Sequence, residues 1–234
     1  MNRADVRAAA DAVRERIERA RARAGRSEPV ELIAVTKGHG HDVVDAALAA
    51  GLTKLGENRV PELADKKARL DELGRGAEPE WHLIGHLQRN KVRQAVPLFD
   101  LVHSVDSERL AAELAKEGGR IGRVVTGLAQ VNTSGEEAKS GFGYDEAVDA
   151  VGRICALPGL RIVGLMTMAP FTEDESVLRR TFARARELFE RCVSIDGFEA
   201  RHLSMGMSND FEIAVEEGST MVRLGTVLFG ERQR

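Results

Sequence analysis

The chain has 234 residues, of which 43% are hydrophobic and 30% are charged, with a formal net charge of −3. This composition is ordinary for a globular protein, and the charge offers no basic field for nucleic acid or an anionic membrane. No apolar run approaches the roughly 20 residues of a membrane-spanning helix, and the N-terminal segment lacks the apolar centre of a signal peptide. Together with only two cysteines, these features indicate a cytoplasmic protein.

A charged amphipathic helix is predicted at the N-terminus, and eight short apolar segments then alternate with segments of helical period. The predicted strands are Glu31–Lys37, Lys54–Glu57, Trp81–Gly85, Leu101–Val105, Val124–Asn132, Arg161–Met168, Arg201–Met205 and Met221–Phe229. Eightfold alternation predicts an α/β protein, a closed parallel (β/α)8 TIM-type barrel with an extra N-terminal helix. A single domain over residues 1–234 is expected. An open doubly wound sheet is the competing fold, but the sequence has no glycine-rich nucleotide motif.

The end of the first predicted strand carries a lysine, Lys37, after the apolar run LIAV. Active sites of such barrels lie at the C-terminal ends of the strands. A lysine in this place should have a lowered pKa and a nucleophilic amine, as Schiff-base chemistry with an aldehyde requires. The alternative is a lysine that reaches the rim or pairs with a carboxylate.

Two segments near strands seven and eight have the composition of a phosphate site. Gly206 and Gly225 would let backbone N–H groups approach an anion closely, and Ser204 and Thr226 carry hydroxyl groups. Ordinary turn glycines and a capping serine would explain either segment alone. An amine and a phosphate cradle in one barrel mouth together favour a phosphorylated aldehyde as the ligand.

Arg223 lies two residues before Gly225, and strand alternation would place both on one face. A buried arginine needs an acceptor. A pyridine nitrogen is one, and it would stay unprotonated because arginine only donates. A buried ion pair, for example with Glu57, is the alternative. The six histidines show no ligand-spacing pattern, so no metal site is predicted.

Most of the chain resembles one known family, the pyridoxal phosphate homeostasis proteins (the YggS/PROSC family). The motifs that carry the resemblance are IAVTK at 33–37, GEN at 56–58, WHLIGHLQRNK at 81–91, VNTSGEEAKSGF at 131–142, GLMTM at 164–168, HLSMGMSND at 202–210 and GSTMVRLGTVLFGER at 218–232. One departure follows the lysine: residues 38–41 read GHGH where many members carry a proline, which leaves the contacts of this loop open.

The resemblance implies an alanine-racemase-like barrel that lacks the β-rich second domain of the racemases. It also implies that pyridoxal 5′-phosphate (PLP) is held as a Schiff base on Lys37, with Arg223 near the pyridine nitrogen. The phosphate would be bound by Ser204, Gly225 and Thr226. The complete predicted cofactor-binding set is Lys37, Asn58, Met166, His202, Ser204, Gly206, Arg223, Gly225 and Thr226.

Two main functions follow. The resemblance implies a PLP carrier or buffer acting in PLP homeostasis and in amino-acid and keto-acid balance, with PLP-dependent apoenzymes as candidate recipients and no predicted catalytic residue. An amino-acid racemase is the alternative, but it needs a second acid/base, and the only tyrosine, Tyr144, lies in a predicted loop. A cofactor-free Schiff-base aldolase is a third hypothesis. A monomer is expected, because the racemase dimer uses the domain missing here.

Overall fold

The computed structural model describes residues 3–136 and 140–231 of the chain. Its strands are β1 Glu31–Val35, β2 Lys54–Glu57, β3 Glu80–Leu83, β4 Leu101–Val105, β5 Val125–Asn132, β6 Phe142–Gly143, β7 Leu160–Met166, β8 Phe198–Ser204 and β9 Met221–Leu224. Its helices are α1 Arg3–Arg23, α2 His41–Ala49, α3 Val60–Glu72, α4 Val92–Ala95, α5 Glu108–Ile121, α6 Ala147–Cys155, α7 Glu175–Cys192, α8 Phe211–Glu216 and α9 Thr226–Phe229. A 3₁₀ turn, Arg89–Lys91, leads into α4.

Eight parallel strands close into a barrel in the order β1, β2, β3, β4, β5, β7, β8 and β9. The closing contact is the parallel pairing of β9 with β1, in which Ile33 is the partner of Arg223. The additional strand β6 has two residues and pairs with the end of β5. The predicted (β/α)8 barrel with an N-terminal helix is therefore confirmed.

The eighth barrel strand is shorter than the sequence predicts. It ends at Leu224, and residues 226–229 form the short helix α9 instead of continuing the strand to Phe229. A continuous apolar run fits a buried strand and a buried helix equally well, which explains the error. Gly225 stands outside the strand as the residue that caps α9, so strand alternation does not place it, although it lines the same cavity as Arg223.

The interior of the barrel has an apolar layer and a polar chain. Alternate residues of the strands point inwards, and the apolar interior cluster consists of Ile33, Leu101, Leu128, Val163, Met166 and Met221. Polar side chains from β3, β4, β8 and β9 are also fully or almost fully buried, namely His82, His103, Ser204 and Arg223. A larger apolar cluster fills the space between the strands and the helices.

Helix α1 packs against the short helices α8 and α9 on the outside of the barrel. Its buried stripe has helical spacing and consists of Val6, Ala10, Val13, Ile17 and Ala20. Its polar side forms ion pairs with α8, in which Arg16 lies 2.9 Å from Glu212 and Arg23 lies 2.7 Å from Glu216. The extra helix thus covers a part of the barrel that six-residue and four-residue helices cannot cover alone.

Neither a membrane span nor a metal cluster is found in the described residues. No helix within 3–136 and 140–231 combines the length and the apolarity needed to cross a membrane. In the same residues, no three histidine, cysteine, aspartate or glutamate side chains gather to hold a metal ion. Cys155 and Cys192 are free thiols, and burial raises the pKa of each to about 11.

Candidate functional site

A cavity of about 610 Å³ opens at the C-terminal ends of the barrel strands. This volume lies within the usual range for small-molecule sites. Five of the nine residues predicted to bind the cofactor line its wall, and they come from the turns after β1, β2 and β9 and from β9 itself. These residues are Lys37, Asn58, Arg223, Gly225 and Thr226.

Lys37 reaches the cavity because it continues the inward face of β1. Ile33 belongs to the barrel interior and Val35 to the cavity wall, and Lys37 follows at the same spacing of two. The chain then turns at Gly38, whose positive φ of 72° suits glycine. The Gly38 N–H donates a hydrogen bond to the Glu62 carboxylate, and the ring of His39 packs edge-on against Phe229. The GHGH loop is therefore anchored on both sides.

A buried ion pair supports the turn of Lys37 from behind. The ammonium of Lys66 lies 2.6 Å from Oε1 of Glu57 and donates to the carbonyl of Thr36 at 2.8 Å. Burial raises the pKa of Glu57, and the neighbouring Lys66 opposes this shift. The partner of Glu57 is thus Lys66, which corrects the alternative pairing of Glu57 with Arg223.

Arg223 is a buried cation held by neutral acceptors. It is 4% exposed, and it donates from Nη1 to Oγ of Ser204 at 2.6 Å and from Nη2 to the carbonyl of Thr167 at 2.9 Å. Burial lowers its pKa to about 10, against the opposing charge of Asp210. No carboxylate among the described residues lies within 4.0 Å of the guanidinium. A buried charge without a close counter-ion is costly unless a further acceptor meets it, and the cavity is where one could bind.

The cavity wall next to Arg223 forms a cradle for an anion. Gly225 caps α9 and Thr226 begins it, so this turn leaves backbone N–H groups without intrahelical partners. Within residues 3–136 and 140–231, the backbone N–H groups of Gly225 and Thr226 donate to no backbone acceptor. Ser208 lies beside them, and its hydroxyl accepts from the amide of Val227 at 3.4 Å. Grouped N–H donors with adjacent hydroxyls are typical of phosphate sites.

Ser204 and Gly206 do not line this cavity. Ser204 is fully buried below Arg223, and its hydroxyl is already engaged by Arg223 and by Nδ1 of His103, at 3.1 Å. Gly206 has a positive φ of 94°, and a Cβ there would lie 2.7 Å from the Cβ of Ala214. Close packing of the chain on α8, rather than approach to an anion, explains this glycine in the structure.

Met166 and His202 also lie away from the cavity. Met166 belongs to the apolar interior cluster and is 1% exposed. His202 comes two residues before Ser204 on β8, nearer the N-terminal end of the barrel, where the charges of Glu31 and Lys54 act on it. Burial lowers the pKa of His202.

Sequence reasoning missed several residues of the site. Met207, Ser208 and Asn209 line the cavity, and all three lie in the quoted motif HLSMGMSND. The sequence does not show that β8 ends at Ser204. Because it ends there, the residues that follow reach the rim of the barrel and line the cavity. Lys66 was missed because it stands on a helix with many charged residues, although Glu62 lies four residues before it.

Tyr144 does not reach the cavity. Its ring lies under the guanidinium of Arg184, whose central carbon is 4.0 Å from the ring centroid. Burial raises the pKa of Tyr144. As the only tyrosine of the chain, it leaves the cavity without a phenol that could act as a second acid/base opposite Lys37.

Comparison with known proteins agrees with this architecture. Residues 9–233 match the family model "Alanine racemase, N-terminal domain". Alanine racemase from Corynebacterium glutamicum, 17% identical, has the same fold with a TM-score of 0.70, and the match covers 96% of this chain and 62% of the racemase. The fold and the site thus define an alanine-racemase-type barrel. This barrel corresponds to only part of the racemase chain.

Two closer relatives narrow the assignment. The pyridoxal phosphate homeostasis protein of Aquifex aeolicus is 40% identical over 222 residues, which cover 94% of this chain and 96% of that protein. The structure of PipY from Synechococcus elongatus with PLP bound is 37% identical, with a TM-score of 0.79, and the match covers 92% of this chain and 100% of PipY. The chain belongs to the pyridoxal phosphate homeostasis protein family.

Proposed function

We propose that this protein binds PLP on Lys37 and acts in PLP homeostasis as a carrier or buffer of the cofactor. The observation that carries the proposal is the placement of three unlike groups around one cavity: an amine, a buried cation without a close counter-ion, and a cradle of backbone N–H groups. The solved structure of PipY with PLP bound and the names of the relatives support it.

The residues fit the chemistry of the ligand group by group. PLP supplies an aldehyde, a pyridine nitrogen and a phosphate. Lys37 would hold the cofactor by its amine, and the bound aldehyde would supply the electrophilic carbon that this amine needs. Arg223 would donate to the pyridine nitrogen, which would then stay unprotonated. The N–H groups of Gly225 and Thr226 and the hydroxyl of Thr226 would bind the phosphate.

The geometry refines the roles of the other predicted residues. Ser208, which lines the cavity beside the cradle, takes the role of second hydroxyl donor to the phosphate, and Ser204 supports Arg223 from below. Asn58 lines the ring pocket. Binding roles for Gly206, Met166 and His202 remain predictions, and each would require the residue to act through a neighbour.

The racemase alternative is disfavoured. Two-base racemisation needs an acid/base on the face of the ligand opposite Lys37, and Tyr144 lies away from the cavity. A pyridine ring kept unprotonated by Arg223 is a weaker electron sink, which suits holding the cofactor better than stabilising a carbanion. The relatives at 39% and 40% identity are named as homeostasis proteins, whereas the alanine racemase shares only 17% identity with this chain.

The wider setting of the function is also a proposal. PLP-dependent apoenzymes are the proposed recipients of the cofactor, and the protein is proposed to act as a monomer with a single domain over residues 1–234. Free thiols at Cys155 and Cys192 suit a reducing, cytoplasmic location.

The test is the visible absorbance of the purified protein with and without PLP, followed by borohydride reduction and peptide mass mapping. We expect an imine band in the wild type and in Lys91→Ala, which removes an exposed lysine, with the reduced adduct on Lys37. Lys37→Ala should lose both the band and the adduct. No band in the wild type would overturn PLP binding. A band accompanied by rapid exchange of the alanine α-proton in D2O would establish the racemase instead.

A further inference from the structure

A chain of hydrogen bonds runs along the interior of the barrel, from the cavity to the opposite end. It begins at Arg223, whose Nη1 lies 2.6 Å from Oγ of Ser204, and continues to Nδ1 of His103 at 3.1 Å. Nε2 of His103 lies 2.8 Å from Nδ1 of His82, and Nε2 of His82 lies 3.1 Å from Oε1 of Glu80. We call these five residues the axial chain.

The two ends of the axial chain differ in both charge and exposure. Arg223, Ser204, His103 and His82 are buried, whereas the side chain of Glu80 is 42% exposed. Glu80 also lies 3.4 Å from the ammonium of Lys54, which in turn lies 2.7 Å from Glu31. The axial chain thus connects the Arg223 cation at the cavity to the solvated charges of Glu80, Lys54 and Glu31 at the N-terminal end of the barrel.

The carboxylate at one end fixes the direction of the bonds between the histidines. Ionised Glu80 only accepts, so His82 carries its proton on Nε2 and accepts at Nδ1 from Nε2 of His103. Nδ1 of His103 is then an acceptor, and it takes the hydroxyl hydrogen of Ser204. Ser204 in turn accepts from Arg223, because a guanidinium only donates.

The reverse direction is disfavoured by the Glu80 end. Neutral His82 protonated on Nδ1 would place an unprotonated Nε2 3.1 Å from a carboxylate oxygen, so that two acceptors face each other. A second proton on His82 would create another buried cation in line with Arg223. Burial lowers the pKa of His103 well below its ordinary value, and the positive charge of Arg223, which faces it from β9, lowers it further.

We propose that His103 and His82 are positioning residues, which hold one direction of hydrogen bonding along the barrel and thereby direct the Ser204 hydroxyl hydrogen to His103, so that a lone pair of Ser204 faces Arg223. The consequence lies at the cavity. Two acceptors meet Arg223, the Ser204 hydroxyl and the Thr167 carbonyl, and both are neutral. The guanidinium therefore keeps its positive charge without a carboxylate of the described residues beside it, and it can attract an acceptor atom of a ligand. Glu80, at the far end, selects the tautomer of both histidines. The ligand side of this inference rests on the proposed PLP binding.

The first test uses the PLP-free wild type and is independent of the cofactor. In nitrogen NMR of the protein labelled at both imidazole nitrogens, we expect His103 to be neutral at pH 7, and we expect both His82 and His103 to carry a proton on Nε2. Assignment uses His82→Phe and His103→Phe. A proton on Nδ1 of His103, or an imidazolium at that position, would overturn the proposal.

The second test measures the effect on Arg223 with PLP labelled at the pyridine nitrogen. Ser204→Ala and His103→Phe should raise the half-saturating PLP concentration about tenfold, and they should shift the pyridine nitrogen resonance away from its wild-type position. Leu101→Met, which changes the apolar interior beside the chain, should do neither.

The outcomes separate the two proposals. If PLP binds the wild type and both variants with unchanged resonance and affinity, the positioning role is overturned while PLP binding stands. If PLP does not bind the wild type, the proposed function fails, and the imidazole tautomers still decide the direction of the axial chain. If His103→Phe does not fold, the tautomer of His103 in the wild type decides the role of the histidines, and Ser204→Ala, which removes a single oxygen atom, tests only the contact of Ser204 with Arg223.

Discussion

The ammonium of Lys66 lies 2.6 Å from the Glu57 carboxylate, and both side chains are almost completely buried behind the turn that carries Lys37. Thr36, immediately before Lys37, donates its hydroxyl to the same carboxylate oxygen and gives its carbonyl to Lys66. The other oxygen of Glu57 is buried without a partner among the described residues. The ion pair of Lys66 and Glu57 therefore fixes the position of Lys37, the candidate nucleophile. If Lys66 were removed, no other cation among the described residues would replace it beside Glu57.

Lys66→Met should lower the free energy of unfolding by about 3–5 kcal/mol, because it leaves the buried Glu57 carboxylate without its cation. Burial already raises the pKa of Glu57, and removing Lys66 raises it further. The penalty is therefore full at neutral pH and shrinks as the pH falls through the raised pKa of the folded state. Urea unfolding at several pH values measures it.

Lys116→Met, which removes an exposed lysine of α5, is the control for Lys66→Met. It should change the stability by less than about 0.5 kcal/mol. A loss for Lys66→Met that stays the same from neutral to acid pH would show that the stranded carboxylate is not its cause.

Glu80→Gln should make the protein less sensitive to acid. The hydrogen bond from His82, helped by Lys54, lowers the pKa of Glu80 from 4.5 to about 2. A carboxyl with a depressed folded-state pKa contributes stability above its ordinary pKa and loses it as the pH falls from 4.5 to about 2. Because Glu80 is half-exposed, the contribution should stay below about 1 kcal/mol.

The measurement for Glu80 is the urea midpoint of wild type and variant at neutral pH and at about pH 3. Glu72→Gln, on the outside of α3, controls for the change in net charge. If the urea midpoint falls equally in wild type and in Glu80→Gln between neutral pH and about pH 3, the assigned role of the His82 hydrogen bond is contradicted.

Gly206→Ala should destabilise the protein by roughly 2–4 kcal/mol. Its φ of 94° is strained for any side chain, and the new Cβ would lie 2.7 Å from the Cβ of Ala214 and 3.0 Å from the Cα of Phe211. Gly119→Ala is the matched control, since nothing lies within 4 Å of a Cβ there and the residue is helical. That variant should be neutral or slightly stabilising. Thermal unfolding of both variants checks the contrast, and equal transition temperatures would contradict it.

Inorganic phosphate should stabilise the PLP-free protein against heat, by mass action on the anion cradle at α9. Thr226→Val keeps the shape of the side chain but removes a hydroxyl donor, so it should weaken phosphate and PLP binding by about tenfold. Thr53→Val, at the opposite end of the barrel, is the control. If phosphate stabilises Thr226→Val against heat as much as the wild type, the Thr226 hydroxyl does not bind phosphate.

The sequence was sufficient for the barrel and for the chemically unusual members of the site. Strand and helix periods alternate clearly, and a lysine after an apolar strand or an arginine within one is conspicuous because burying a charge is costly. The placement of Lys37 and Arg223 in one cavity follows from barrel closure, which brings β9 beside β1.

The remaining features depend on contacts that are remote in the chain. Whether residues 226–229 continue a strand or begin a helix is decided by tertiary packing, since both fit an apolar run. The point at which β8 ends decides whether Ser204 or Ser208 faces the cavity. His82 and His103 meet only because β3 and β4 are neighbours in the closed barrel, and no spacing in the sequence indicates that contact.

The packing of α1 on α8 and α9 has a consequence for folding during synthesis, because it joins segments that are far apart in the chain. Arg16 and Glu212 form an ion pair across 196 positions of the chain, so α1 finds this partner only after α8 has been synthesised. Contacts of this separation slow folding, and during synthesis the part of the α1 stripe that α8 and α9 cover stays exposed until those helices emerge. The anion cradle lies at the start of α9, so a nascent chain cannot form it before that helix has emerged.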